Sequence, residues 1–185
     1  IKTMKISKIH EFKTKIYEGY ISFDQKKVLQ TLKSADPIIQ PDDYMRTSFF
    51  KEKNILLYKD FKFLLDECHL FFNYVAQENN YKEGKVVSSW FQIYRKGDFH
   101  HTHIHNISTR TRKSWNFIFY IECPKNSSNT IILEPGYPYI DNTTPISITP
   151  TVGKCVAFPG HIPHFVEPNK SNKRIILSCN VEFSI

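Results

Sequence analysis

The sequence predicts a mainly β protein with helices confined to its N-terminal part, its strands closing as a sandwich or jelly roll. Three observations carry this. Beyond about residue 85, short apolar runs are separated by clusters of Pro, Gly, Asn and Ser. No helical pattern interrupts those runs, which disfavours a parallel β/α sheet. The periodicities of three and four residues that mark amphipathic helices all fall before that point.

In chain order, a helix is expected over 24–34 and a longer one over 59–77, where Phe61, Leu64, Leu65, Cys68, Phe71, Phe72 and Val75 form an apolar stripe of the kind that packs on a core. Asp36-Pro37 and Gln40-Pro41-Asp42-Asp43 between them read as turns. Eight strands follow, over 86–94, 99–105, 115–123, 130–134, 146–149, 154–158, 164–167 and 174–183. The 185 residues suit a single domain, with 1–85 as a helical support region and 86–185 as the β core.

Composition narrows the class. Hydrophobic residues make up 41% and aromatic residues 15%, with only 6 glycines, which argues against disorder or low complexity. The formal net charge of +7 is compatible with an anionic substrate. The basic residues are nevertheless mostly scattered lysines, as on a solvated surface, and nucleic acid is disfavoured as a partner. Cys68, Cys123, Cys155 and Cys179 lie far apart, three of them in apolar stretches, as expected of reduced core thiols in a cytoplasmic protein. No apolar run long enough for a membrane span and no signal-peptide pattern is seen, so no membrane partner is expected.

Six of the eight histidines fall in two clusters, His100-His101-Thr102-His103-Ile104-His105 and His161-Ile162-Pro163-His164. Neutral imidazole binds zinc, copper, nickel or iron, and residues two apart on a strand share a face, so His103 and His105 can serve one ion. By the same alternation His101 faces inward with them and His100 outward, although both also fit a surface or supporting role. Pro159-Gly160 makes a turn that leaves His161 on a loop. His164 opens a strand run and is the better third ligand. In the last strand Arg174, Ile176, Ser178 and Asn180 alternate with the apolar Ile175, Leu177, Cys179 and Val181, as if one face lined a ligand cavity. Arg174 offers the planar fork that recognises carboxylates, with a half-exposed surface position as the alternative. Trp90, Gln92 and Tyr94 share a face of an early strand; Gln92 or Tyr94 could reach a ligand, and Trp90 reads as core.

Tyr94-Arg95-Lys96-Gly97-Asp98-Phe99, His103-x-His105, Gly153, Phe158-Pro159-Gly160, His164 and Arg174 together resemble the iron(II)- and 2-oxoglutarate-dependent dioxygenases, over roughly residues 86–185. The resemblance implies a double-stranded β-helix, the jelly-roll form shared with cupins. It makes His103 the first iron ligand, His105 the occupant of the usual carboxylate position and His164 the distal ligand. It places Arg174 on the distal carboxylate of 2-oxoglutarate; Tyr94, Gln92, Ser178 and Asn180, on the cavity-facing sides of their strands, are then the candidates to line that co-substrate. The implied reaction consumes dioxygen, converts 2-oxoglutarate to succinate and hydroxylates an unactivated carbon of a small-molecule or peptide substrate. Arg110-Thr111-Arg112-Lys113 is a candidate for anionic-substrate contacts near the cavity mouth, and the loops 106–114 and 135–144 are candidate pocket walls. The chain departs from the common pattern at His105, which raises the net charge of the site by one; Asp98 or Glu134 could supply a carboxylate, although neither sits at the motif position. A three-histidine cupin of thiol dioxygenase or isomerase type, and a non-catalytic metal-binding member of the fold, are the alternatives.

Overall fold

The computed structural model describes residues 14–35, 38–135 and 140–185. The expected turn at Asp36-Pro37 therefore lies outside the described residues. Helix α1 (Gln25–Ser34) starts where Asp24 Oδ1 accepts the Lys27 backbone N–H at 3.0 Å, the ordinary N-cap bond. It buries Val28 and Leu32. Helix α2 (Lys62–Glu78) follows two short 3-10 turns and buries Leu64, Cys68, Phe71, Phe72, Val75 and Ala76, nearly the stripe read from the sequence.

The eight expected strands appear as β4 (Gly84–Arg95), β5 (His100–His103), β6 (Arg112–Glu122), β7 (Thr130–Pro135), β8 (Ile140–Ile148), β9 (Lys154–Pro159), β10 (His164–Val166) and β11 (Lys173–Ser184). The N-terminal part adds three more, β1 (Tyr17–Tyr20), β2 (Gln40–Pro41) and β3 (Arg46–Thr47). The predicted turn at 40–43 is thus the start of a small hairpin, closed by the Asp42 N–H donating to the Met45 carbonyl at 2.7 Å. A two-residue strand is too short to show periodicity, which is why the sequence pattern missed it.

The strands form two antiparallel sheets, one of seven strands in the order β1-β9-β6-β11-β4-β3-β2 and one of four in the order β5-β10-β7-β8. Strict alternation along β6, β9 and β11 sends Phe117, Phe119, Cys155, Ala157, Leu177, Cys179 and Val181 to the outer face of the larger sheet, where α1 and α2 cover them. Phe72 meets Phe117 edge to face with centroids 4.7 Å apart, a contact worth roughly 0.5–1.5 kcal/mol beyond its buried area. The inner face turns Ile118, Val156, Phe158 and Ile176 against Ile132, Ile148 and Val166 of the smaller sheet. This is the double-stranded β-helix. Cys68, Cys155 and Cys179 are buried free thiols. Among the described residues no helix is long and apolar enough to cross a membrane.

Candidate active site

The inner face of the jelly roll is polar in two places, and the three predicted histidines occupy one of them. His103 ends β5, His164 opens β10, and the ladder pairs them directly. His105 stands two residues past β5, its backbone N–H held by the Gly160 carbonyl at 2.8 Å. Gly160 packs so closely on the Asn106 carbonyl that a Cβ would collide with it, so the turn that fixes His105 needs glycine.

The ring nitrogens are oriented for one ion. Nδ1 of His103 lies 2.7 Å from the His101 carbonyl, and Nδ1 of His164 lies 3.1 Å from the Ile162 carbonyl. A carbonyl only accepts, so each Nδ1 carries the proton and each Nε2 presents a lone pair. The Nε2 atoms of His105 and His164 are 3.2 Å apart, and the ligand atoms of all three histidines lie within 4.8 Å of one another. Two nitrogens about 2.1 Å from one metal at a right angle would be about 3.0 Å apart, so the cluster is already close to a coordinating arrangement. Burial pushes His105 down to about 3 and His164 well below the ordinary histidine value, each reinforced by its histidine neighbours. Burial also lowers His103, against the hydrogen bond to the His101 carbonyl. All three are therefore neutral near pH 7, the form that ligates.

His100, rather than His101, joins the site. The β5–β10 ladder slips between His164↔His103 and Val166↔His100, so three steps along β5 oppose two along β10. Such a bulge reverses the alternation that would have turned His101 inward. His100 stacks on His103 with centroids 4.0 Å apart, its Nδ1 3.2 Å from Gln92 Nε2. His101 is exposed, against Tyr44 and Phe99. His161 is also exposed.

The second polar place surrounds Arg174, which is fully buried. Its Nη2 donates to Thr130 Oγ1 at 2.8 Å, and the same oxygen accepts from Tyr120 Oη at 2.8 Å. The guanidinium lies over the Tyr94 and Tyr120 rings, 4.8 Å and 5.3 Å from their centroids. Arg174 Nε and Nη1 and Tyr94 Oη have no hydrogen-bond partner. Among the described residues no carboxylate pairs with this arginine. Burial pushes the Tyr94 hydroxyl up, so it stays a neutral donor.

Between the two places, Gln92 accepts from Ser178 Oγ at 3.1 Å and reaches Met45 Sδ and His100. Asn180 donates to Ser88 Oγ at 2.9 Å, and its side chain also acts on His105, raising the imidazole pKa against the effect of burial. Trp90 belongs to neither core: it lies flat against His105, centroids 5.6 Å apart at 21°, and meets Phe49 edge-on. A cavity of about 450 Å³ opens beside the histidines, lined by Asp42, Met45, Thr47, Phe49 and Phe50 of the N-terminal part together with Trp90, Gln92, Asn180 and residues 103–106.

Other candidates lie elsewhere. Asp98 accepts the Arg95 backbone N–H, Glu134 is exposed, and neither belongs to the histidine cluster. Arg112 turns away to Glu182 at 3.0 Å and borders a different cavity with His69 and Lys85. From loop 106–114 only Asn106 lines the histidine pocket. Of the loop 135–144, residues 140–144 run in β8, and 136–139 lie outside the described residues.

A jelly roll with convergent imidazoles on its inner face defines a metal-dependent β-helix protein, and the family follows from the sequence match. The family model described as "Putative 2OG-Fe(II) oxygenase" matches residues 88–180, half of the chain, and the chain belongs to that family, the iron(II)- and 2-oxoglutarate-dependent oxygenases. No curated protein matches the chain. Among solved structures it is similar to a prolyl-4-hydroxylase of Pseudomonas putida, with 14% identity, 91% of each chain covered and a TM-score of 0.62. A Trichoplax adhaerens prolyl hydroxylase in complex with a hypoxia inducible factor peptide fragment shares 13% identity over 92% of this chain and 83% of that one, with a TM-score of 0.63. HygX of Streptomyces hygroscopicus, with nickel, 2-oxoglutarate and hygromycin B bound, shares 10% identity over 91% and 82%, with a TM-score of 0.64. At such identities the likeness is one of fold.

Proposed function

We propose that His103, His105 and His164 hold one Fe(II) through their Nε2 atoms, that Arg174 and Tyr94 take the distal carboxylate of 2-oxoglutarate, and that the protein hydroxylates a substrate admitted through the adjoining cavity. The observation that carries this is the buried guanidinium without an acidic partner. A buried cation with two unpartnered nitrogens and an unpartnered phenol beside them is costly unless an anion completes it, and a carboxylate offers matching acceptors. A cupin of another reaction class has no use for that arrangement. The donor set fits the metal as well: neutral nitrogens suit a divalent transition ion and leave coordination positions for co-substrate and dioxygen.

When bound, the iron with 2-oxoglutarate supplies dioxygen activation coupled to oxidative decarboxylation of the co-substrate to succinate. The chain's own residues orient and shield. Thr130 fixes the guanidinium, leaving Nε and Nη1 for the carboxylate. The carbonyls of His101 and Ile162 hold two imidazoles in the ligating tautomer. Trp90 covers one face of His105 and keeps water from it. With three neutral ligands the site retains the full charge of the ion, which strengthens its attraction for the dianionic co-substrate and removes the carboxylate that would otherwise help retain the metal. Similar folds are seen with a peptide fragment bound in one case and hygromycin B in another, which supports a small-molecule or peptide substrate. The buried free thiols suit a reducing cytoplasmic compartment.

The test is succinate formation from 2-oxoglutarate in air with Fe(II), first without a second substrate. Slow turnover that disappears in His164→Ala is expected. Binding of metal and 2-oxoglutarate without succinate, across a broad substrate panel, would make the protein a non-catalytic member of the family.

A further inference from the structure

The cavity beside the histidines carries information about the substrate that the family does not supply. This inference rests on the reading of that cavity as the substrate entrance. The chain has a formal net charge of +7, yet among the described residues no lysine or arginine lines the cavity, and Asp42 is the one carboxylate there. Its apolar wall comes from Met45, Phe49, Phe50, Trp90 and Ile104. Phe49 is 37% exposed, Phe50 58% and Ile104 48%, whereas Trp90 is buried. Large apolar side chains gathered at the rim of an active-site cavity cost free energy in water unless a ligand covers them. The rings pack on one another, Phe49 meeting Trp90 at 68° with centroids 5.1 Å apart and Phe50 at 75° and 5.9 Å.

We infer that the substrate enters as an uncharged, carbon-rich group, a ring or a branched alkyl chain, held by Phe49, Phe50 and Ile104 and stopped by Trp90 next to the histidines. Among the described residues an anionic group has no lysine or arginine partner in this wall, and Arg112, from the basic stretch 110–113, pairs with Glu182 and borders a different cavity. A cationic group would find one carboxylate among the described lining residues, Asp42, whose Oδ1 already accepts the Asp43 N–H at 2.7 Å. Ring faces attract it only modestly while it approaches a site built for a metal cation. The volume of about 450 Å³ is in the ordinary range for a small-ligand pocket.

Three probes of one ring size and different charge separate these cases: benzyl alcohol, benzoate and benzylamine. Binding is followed by ligand-observed NMR on the zinc-loaded protein with 2-oxoglutarate present, and repeated on the metal-free protein. Benzyl alcohol should bind at least about tenfold more tightly than either ion. Phe49→Ala and Ile104→Ala, both at exposed positions outside the two core clusters, should each weaken benzyl alcohol at least about fivefold. Equal or tighter binding of benzoate or benzylamine overturns the inference, as does benzyl alcohol binding that neither variant changes. Zinc content and 2-oxoglutarate affinity, measured on the same samples, report separately on the proposed function. A protein that holds both but ignores benzyl alcohol keeps that function and loses this inference.

Discussion

Replacing Arg174 with Met should move ligand binding and intrinsic stability in opposite directions. The wild-type guanidinium is fully buried with one hydrogen bond, to Thr130, while Nε and Nη1 are unpartnered. Methionine removes a buried charge and preserves much of the apolar stem that packs between Tyr94 and Tyr120. Thr130 Oγ1 keeps its bond from Tyr120, so no new polar atom is stranded. Replacing a buried ion by an apolar side chain of similar volume is often neutral or stabilising, here by about 0–2 kcal/mol, so Tm without ligand should hold or rise by a few degrees. For 2-oxoglutarate the change removes two charge-assisted hydrogen bonds of roughly 1.5–3 kcal/mol each. Taking the low end, about 3 kcal/mol, affinity should fall roughly a hundredfold. Thermal scans of the zinc-loaded protein read both effects together, because a ligand at about 100 times its Kd adds about 2.7 kcal/mol of stability. Wild type should show a clear 2-oxoglutarate shift and Arg174→Met almost none. A variant that loses several degrees without ligand yet keeps the whole shift would make Arg174 a structural cation and refute the reasoning.

His164→Ala should reduce bound metal from one equivalent to none, measured by elemental analysis after dialysis; full occupancy in the variant would remove His164 from the ligand set. Gly160→Ala should weaken metal binding although Gly160 is no ligand, because the added Cβ drives the Asn106 carbonyl away from Gly160 and with it the His105 N–H that the Gly160 carbonyl holds; unchanged affinity would show that the loop relaxes freely. In the metal-free protein, His100 and His105 are lowered to about 3 by burial and then by neighbouring histidines, against an unfolded value near 6.5. Between those values the unfolded chain binds more protons, so the stability these histidines contribute is complete above about pH 6.5 and is lost as pH falls from there toward about 3. Urea midpoints across that range should decline with acidity, less steeply in His100→Gln, and a flat profile would contradict the burial.

The β core was legible because its strands are long enough to show alternation. Residues 174–183, for example, place Arg174 and Ile176 on one face and Ile175 and Leu177 on the other, as found in β11. His103 and His105 were legible through their two-residue spacing, and His164 through its place at the start of a strand run. The exchange of His100 for His101 was not, because a bulge is a property of two paired strands and leaves no trace in one. Tyr120 and Thr130, which complete the setting of Arg174, come from strands remote in sequence and carry no motif. Trp90 reads as a core residue by composition; only its contact with His105 reveals its place beside the histidine cluster. The N-terminal wall of the cavity escaped notice because Asp42, Met45, Phe49 and Phe50 sit around strands of two residues, positioned by pairing with β4 rather than by local pattern.

The central claim is that one chain brings a metal and 2-oxoglutarate together on the inner face of the jelly roll. Anaerobic addition of 2-oxoglutarate to the Fe(II)-loaded protein, followed by visible absorption, tests it most directly. A metal-to-ligand charge-transfer band that saturates at one co-substrate per chain, vanishes in His164→Ala and needs far more 2-oxoglutarate in Arg174→Met is the expected result. A protein that binds Fe(II) stoichiometrically but develops no such band would contradict it.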